Sequence, residues 1–281
     1  MISIAVVSGK GGTGKTTIAT SLFLSLDNVQ LIDADVDEPN CSLFLDIKAH
    51  HVKDAQIPIP VIDNSKCILC GECVKNCEYN ALANLPNQIL VFDRICHGCG
   101  VCSVVCPTEA IIEKNRSLGK IFSGIKGNRR FDYGELIVGE ELSTPIISTL
   151  KEQVDEKKDY VIFDSPPGSA CPMVETVIDV DYVIVVAEPT PFGLSDMKVV
   201  VETLYQLNKK FGVIINKEGI GNEELENYCK ENSIPILLRI PFDLKIAKSY
   251  SVGNNLLTAF PKWKEKFQQM IKEITEEVKN E

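Results

Sequence analysis

Residues 2–17 read ISIAVVSGKGGTGKTT. A β-branched apolar run enters a glycine-rich turn, and the turn enters a helix-forming stretch from Thr16. Gly9, Gly11, Gly12 and Gly14 let the backbone turn tightly and aim its N–H groups at phosphate oxygens. Lys15 is placed to reach terminal phosphates and Thr16 to ligate Mg²⁺, with Thr13 and Thr17 completing the nucleotide-binding set. A bare tight turn between strand and helix needs none of this. The strand followed by G-K-G-G-T-G-K-T-T is specific for phosphate.

The totals bound what such a loop can serve. The chain has 281 residues, 44% of them hydrophobic, enough for one large α/β domain with an insertion or for two smaller ones. Its formal charge of -10 disfavours nucleic acid, which needs concentrated Lys and Arg. No apolar run approaches the ~20 residues of a membrane span, and MISIAVVSGK lacks the basic start of a signal peptide. A cytoplasmic protein that binds neither membrane nor nucleic acid is expected. Disulfides are disfavoured there, so 11 cysteines need another explanation.

Eight of them fall in two runs: Cys67, Cys70, Cys73 and Cys77, then Cys96, Cys99, Cys102 and Cys106, the last followed by Pro107. Each run has the spacing found in bacterial two-cluster ferredoxins, and the two form an internal repeat. In that arrangement three cysteines of a run wrap one [4Fe–4S] cluster while the fourth serves the other. Cys67, Cys70, Cys73 and Cys106 would then hold one cluster, and Cys96, Cys99, Cys102 and Cys77 the second. Zinc also takes C-x-x-C pairs, but normally two pairs separated by a longer loop. Glu78 stands where the usual pattern has proline after the fourth cysteine, a change that removes no ligand.

Lys10, ahead of the glycine pair, narrows the phosphate loop further. The stretch resembles the deviant Walker A loop of the MinD/Mrp/nitrogenase-iron-protein group of ATPases. There this lysine reaches across a dimer to the partner's nucleotide. The resemblance extends to VQLIDADVDEPN, where Asp33 and Asp35 match the first switch and Asp35 is the candidate that orients the attacking water, Asp37 a weaker one. It extends to DYVIFDSPPG, where Asp164 would hold the Mg²⁺ shell and Gly168 would let the second switch swing. It implies adenine contacts from Asn216 in FGVIINK and from Pro241 and Asp243 in LLRIPFD; ordinary strand-end turns explain these last two stretches equally well.

The expected fold is therefore α/β: a doubly wound, mostly parallel sheet made of residues 1–56 and 116–281, with a small ferredoxin-like α+β module inserted at 57–115. Of the other cysteines, Cys41 and Cys229 read as small packed residues, and Cys171 as packed or at an interface. The carboxyl-terminal stretch places Trp263, Phe267, Met270, Ile274 and Val278 on one helical face, with Lys and Glu balanced on the other. It is expected to pack on the ATPase core and not on a membrane. GIKGNRR, with Lys126, Arg129 and Arg130, reads as a solvated loop that carries a small basic patch, docking of an acidic redox partner being the alternative. His50, His51 and His97 show no ligand spacing. The function implied is ATP hydrolysis coupled to electron transfer by a homodimer acting on a redox partner. An ATPase serving metallocofactor assembly on a client protein and a non-catalytic redox switch are the alternatives.

Overall fold

The computed structural model describes residues 1–280. The apolar run before the glycine loop forms β1 (Ile2–Val7), wholly buried near the middle of a nine-stranded sheet. Helix α1 (Lys15–Ser25) begins at the loop, and β2 (Val29–Asp33) ends in the carboxylate-rich stretch. The chain then leaves the sheet's centre along a 13-residue strand, β3 (His50–Ile62). The cysteine-rich segment follows: short helix α2 (Glu72–Lys75), hairpin strands β4 (Leu82–Leu85) and β5 (Gln88–Val91), and short helix α3 (Val101–Val104). A 16-residue strand, β6 (Ile111–Lys126), brings the chain back, and β7 (Arg129–Leu136) turns into the sheet beside β2.

From there helices and strands alternate: α4 (Thr144–Lys151), β8 (Tyr160–Asp164), α5 (Cys171–Val177), β9 (Tyr182–Ala187), α6 (Pro191–Gln206), β10 (Phe211–Glu218), α7 (Glu224–Glu231) and β11 (Ile236–Pro241). Three helices close the chain: α8 (Leu244–Ser251), α9 (Leu256–Ala259) and α10 (Trp263–Lys279). The sheet order is β11-β10-β9-β1-β8-β2-β7-β6-β3. Every pairing from β11 to β7 is parallel, while β6 and β3 extend the sheet as antiparallel arms. The large parallel sheet with helices on both faces is the expected α/β fold.

Alternation along the strands builds two cores. Ala5 and Val7 of β1 face one side, with Met197 and Val200 of α6 and Ile146 and Leu150 of α4. Ile4 and Val6 face the other, with Ile18, Leu22 and Phe23 of α1 and Phe267 and Ile271 of α10. The apolar stripe of α10 is buried against this second core, so a substitution such as Phe267→Ala would cost about 3–5 kcal/mol. Among the described residues no helix is long and apolar enough to cross a membrane.

GIKGNRR is not a solvated loop. It is the β6–β7 hairpin, turning at Gly127 with φ 61°. Arg129 donates to the carbonyls of Leu24 and Leu26, satisfying acceptors that the end of α1 leaves open. Arg130 grips the buried carboxylate of Asp132. The basic patch is structural.

The ladder between β3 and β6 runs from His50↔Ser123 to Ile62↔Ile111 without leaving the sheet. Residues 57 and 115 lie next to each other on it, at the rungs Ile57↔Arg116 and Pro58↔Asn115. The cysteine-rich segment is thus carried on two strands continuous with the sheet. Pro58 and Pro60 fit inside β3 because it ends the sheet order, where an edge strand needs no outward N–H donor.

Candidate nucleotide and cysteine sites

The glycine loop joins β1 to α1 with Gly12 at φ 78° and Gly14 at φ 94°, conformations that favour glycine. Gly9 meets α6 so closely that a Cβ there would lie 2.4 Å from the Asp196 carbonyl oxygen. The hydroxyl of Thr13 is buried with no partner in the chain, as suits a group awaiting a phosphate oxygen.

Behind the loop, Lys15 is 6% exposed and its Nζ lies 3.3 Å from Asp164 Oδ1 and 3.4 Å from Asp35 Oδ2. Burial pulls the Lys15 pKa down, but the Asp164, Asp35 and Asp33 carboxylates outweigh it and hold it above its ordinary value. Asp35 is pushed up to about 6, chiefly by burial. Asp33 is fully buried, and burial together with the Asp164 charge holds it well above the usual carboxylate range. The two switch-one candidates therefore differ. Asp33 turns inward and accepts the N–H groups of Asp35 and Cys41, whereas Asp35 faces the lysine.

Cys41 is more than a packed residue. Its Sγ donates to Asp164 Oδ2 at 3.3 Å, and burial beside Asp33 and Asp164 keeps it a thiol. Donor atoms of Asp33, Cys41 and Asp164 all lie within 4.8 Å of one another. Sequence carried no signal for this, because Cys41 reaches the site through a 3₁₀ turn, Cys41–Phe44, with no motif spacing. The oxygens of Asp164, Asp35 and Thr16 suit a hard cation such as Mg²⁺, while the thiol does not.

Asn216, Pro241 and Asp243 line one cavity of about 290 Å³ beside Gly12 and Gly14. Asn216 also donates to the Thr13 carbonyl at 2.6 Å, and Asp243 caps α8 through the Lys245 N–H. Helix α8 adds Ile246, Ala247 and Tyr250, which the short motifs did not reveal. Lys10 lies apart from Lys15. Its Nζ is 3.5 Å from Glu188 Oε2, a carboxylate that Lys217 also grips. In the second-switch stretch, Gly168 at φ 91° donates its N–H to the Ser8 carbonyl, tying that segment to the loop.

The eight clustered cysteines surround two cavities. Cys67, Cys70, Cys73 and Cys106 line one, with Ile62 and Ile111. Cys77, Cys96, Cys99 and Cys102 line the other, with Pro58, Pro60 and Glu113. Each cavity thus takes three cysteines from one run and one from the other.

A near-twofold repeat explains this, its main features recurring after the 29 residues that separate Cys67 from Cys96. The pairs Ile62↔Ile111 and Leu82↔Val91 correspond, as do helices α2 and α3 and the left-handed residues Leu69 and Gly98. The N–H of Ala81 donates to Cys77 Sγ and that of Ala110 to Cys106 Sγ, both at 3.3 Å. Burial raises the Cys73, Cys96 and Cys102 thiols, while N–H groups of Val74, Gly98 and Ser103 pull the other way. Such donors suit thiolate ligands.

Neither quartet forms a group within 4.8 Å among the described residues.

The chain matches the family described as the CobQ/CobB/MinD/ParA nucleotide binding domain over residues 4–256. It is 35% identical to an uncharacterized protein of Methanocaldococcus jannaschii over 284 residues, covering 99% of this chain and 97% of that one. The iron-sulfur cluster carrier protein of the same organism is 23% identical over 298 residues, 98% of this chain and 84% of that one. Among solved structures, the cell division ATPase MinD of Pyrococcus furiosus gives a TM-score of 0.57 at 18% identity, covering 97% and 99% of the two chains. That likeness is one of fold.

Proposed function

The chain belongs to the CobQ/CobB/MinD/ParA nucleotide-binding family, and we propose that it is an ATPase working in iron–sulfur chemistry. In this reading residues 57–115 are a ferredoxin-like insertion holding two [4Fe–4S] clusters, and the ATPase, residues 1–56 and 116–281, switches as a homodimer. The observation that carries it is the crossed lining of the two cavities, three cysteines from one run and one from the other. A pair of independent zinc sites has no need of that exchange. When bound, such clusters supply one-electron carriers at low potential.

The chain's own residues divide the ATPase work. The loop N–H groups, Thr13 and Thr17 hold the phosphates, Lys15 leaves Asp35 and Asp164 for the terminal phosphate, and Thr16 and Asp164 hold Mg²⁺. Asp35, freed of the ammonium, orients the attacking water. Lys10 leaves Glu188 for the partner subunit's nucleotide. Asn216, Pro241 and Asp243 border the base.

A second reading, cluster assembly or delivery to a client, is favoured by the likeness to the iron-sulfur cluster carrier and by the exposure of Cys70 and Cys99. Anaerobic incubation of the loaded protein with an apo-ferredoxin acceptor separates the two. Electron transfer leaves about eight iron atoms on the chain through turnover, whereas delivery moves iron to the acceptor in step with ATP hydrolysis.

A further inference from the structure

Arg116 lies on β6 opposite Ile57, where the strand pair enters the cysteine-rich segment. Its Nη1 donates to Glu140 Oε1 at 2.5 Å. Its Nε and Nη2 are buried without a hydrogen-bond partner in the chain. A guanidinium stays charged and carries five N–H donors, so buried and unanswered ones call for an acceptor.

The cavity lined by Cys77, Cys96, Cys99 and Cys102, the inner one because Pro58 and Pro60 of β3 also line it, is the adjacent site. Its loop rests on the same rung of the ladder, since a Cβ on Gly98 would lie 2.9 Å from the Pro58 carbonyl oxygen and 3.0 Å from Ile57 Cβ. The repeat breaks here. The residue 29 positions earlier is Asn87, in the turn between β4 and β5, and it carries no charge.

On the two-cluster reading above, we propose that Arg116 is a positioning residue for the cluster held by Cys77, Cys96, Cys99 and Cys102: its free N–H groups bond the cluster's sulfurs and its charge raises that cluster's reduction potential above the outer one's. Reduction adds one negative charge to a cluster, and a partly buried cation beside it stabilises that added charge. The electron comes from an external low-potential one-electron donor. With the cluster bound, that donor would be oxidised by one electron and the inner cluster reduced by one, no residue of the chain changing its oxidation state. Glu140 tempers the effect as counter-ion. It belongs to the segment after β7, donating its N–H to the Ile137 carbonyl.

The test is an anaerobic redox titration of the loaded full chain followed by electron paramagnetic resonance. The inner signal is the one that survives in Cys106→Ala. Arg116→Gln should lower the inner cluster's reduced-to-oxidised ratio at a fixed ambient potential by roughly tenfold, about 59 mV for a one-electron couple, and leave the outer cluster unmoved. Arg116→Lys should retain part of the difference. Glu140→Gln should shift the inner potential upward, and it decides the matter if Arg116→Gln does not fold. Unchanged inner potentials in Glu140→Gln or in a folded Arg116→Gln, or equal shifts of both clusters, overturn the proposal. Iron well short of eight atoms in the wild type would instead overturn the two-cluster reading, and this inference with it.

Discussion

The backbone N–H of Leu136 donates to the carbonyl of Val36 at 2.9 Å, one residue beyond Asp35. The next N–H, that of Ile137, donates to Leu118 on β6, the strand that leads to Arg116 and the inner cysteine cavity. Two consecutive donors therefore join the segment after Asp35 to the arm carrying the cysteines. A nucleotide analogue that fixes Asp35 should slow amide exchange at Leu136 and Ile137 as well as in the glycine loop. Protection of the loop alone would leave the arm mechanically separate.

Lys15→Ala should abolish hydrolysis and leave the iron–sulfur absorption intact. Asp35→Asn should keep nucleotide affinity within a few-fold and lower kcat by about 10²–10⁴-fold, as for loss of a group acting at the transition state. In the proposed role of Asp35 the ionised carboxylate is the working form. Since its pKa is pushed up to about 6, kcat/KM should fall as pH drops through about 6. The same shift acts on stability with the opposite sense. A carboxyl raised from 3.8 favours the folded state below about pH 4 and loses that contribution as pH rises through about 6. Melting of the nucleotide-free Asp35→Asn variant should accordingly depend less on pH between 4 and 7.

Lys10 is held by a carboxylate of its own chain, so dimer closure has an internal competitor. Lys10→Ala should bind ATP within a modest factor of wild type while losing ATP-dependent dimerisation and hydrolysis together. Glu188→Gln should dimerise at lower ATP concentration. Sedimentation with a non-hydrolysable analogue reads both, and wild-type dimerisation by Lys10→Ala would end the cross-subunit role.

Cys77→Ala should damage the cluster formed mainly by Cys96, Cys99 and Cys102, and Cys106→Ala the one formed by Cys67, Cys70 and Cys73. Iron content should fall from about eight toward about four in each, with different residual resonance signals. Loss confined to the mutated run's own three cysteines would show that the ligands are not exchanged.

What was legible in the sequence was chemistry that depends on local spacing. The glycine loop specifies its turn through Gly12 and Gly14, and the cysteine runs specify their wrapping through the repeated intervals. The long arms were hidden because Pro58 and Pro60 break β3 into what read as short runs, a break that only an edge position tolerates. Contacts between distant segments left no trace either. Cys41 meets Asp164 across 123 positions and Arg116 meets Glu140 across 24, with nothing in either neighbourhood to announce the partner. Arg129 misled for the opposite reason: a basic cluster in a polar stretch resembles a solvated patch until the end of α1 is seen beside it.

The central claim is that nucleotide state reaches the clusters, and the potential of the inner cluster tests it most directly. Titrating the loaded wild-type protein with saturating ADP and again with a non-hydrolysable ATP analogue should give two different midpoint potentials for the inner cluster, because closure moves the Val36–Leu136 segment and with it Glu140 beside Arg116. Identical potentials for both clusters in the two nucleotide states, with binding and dimerisation verified in the same samples, would contradict the account.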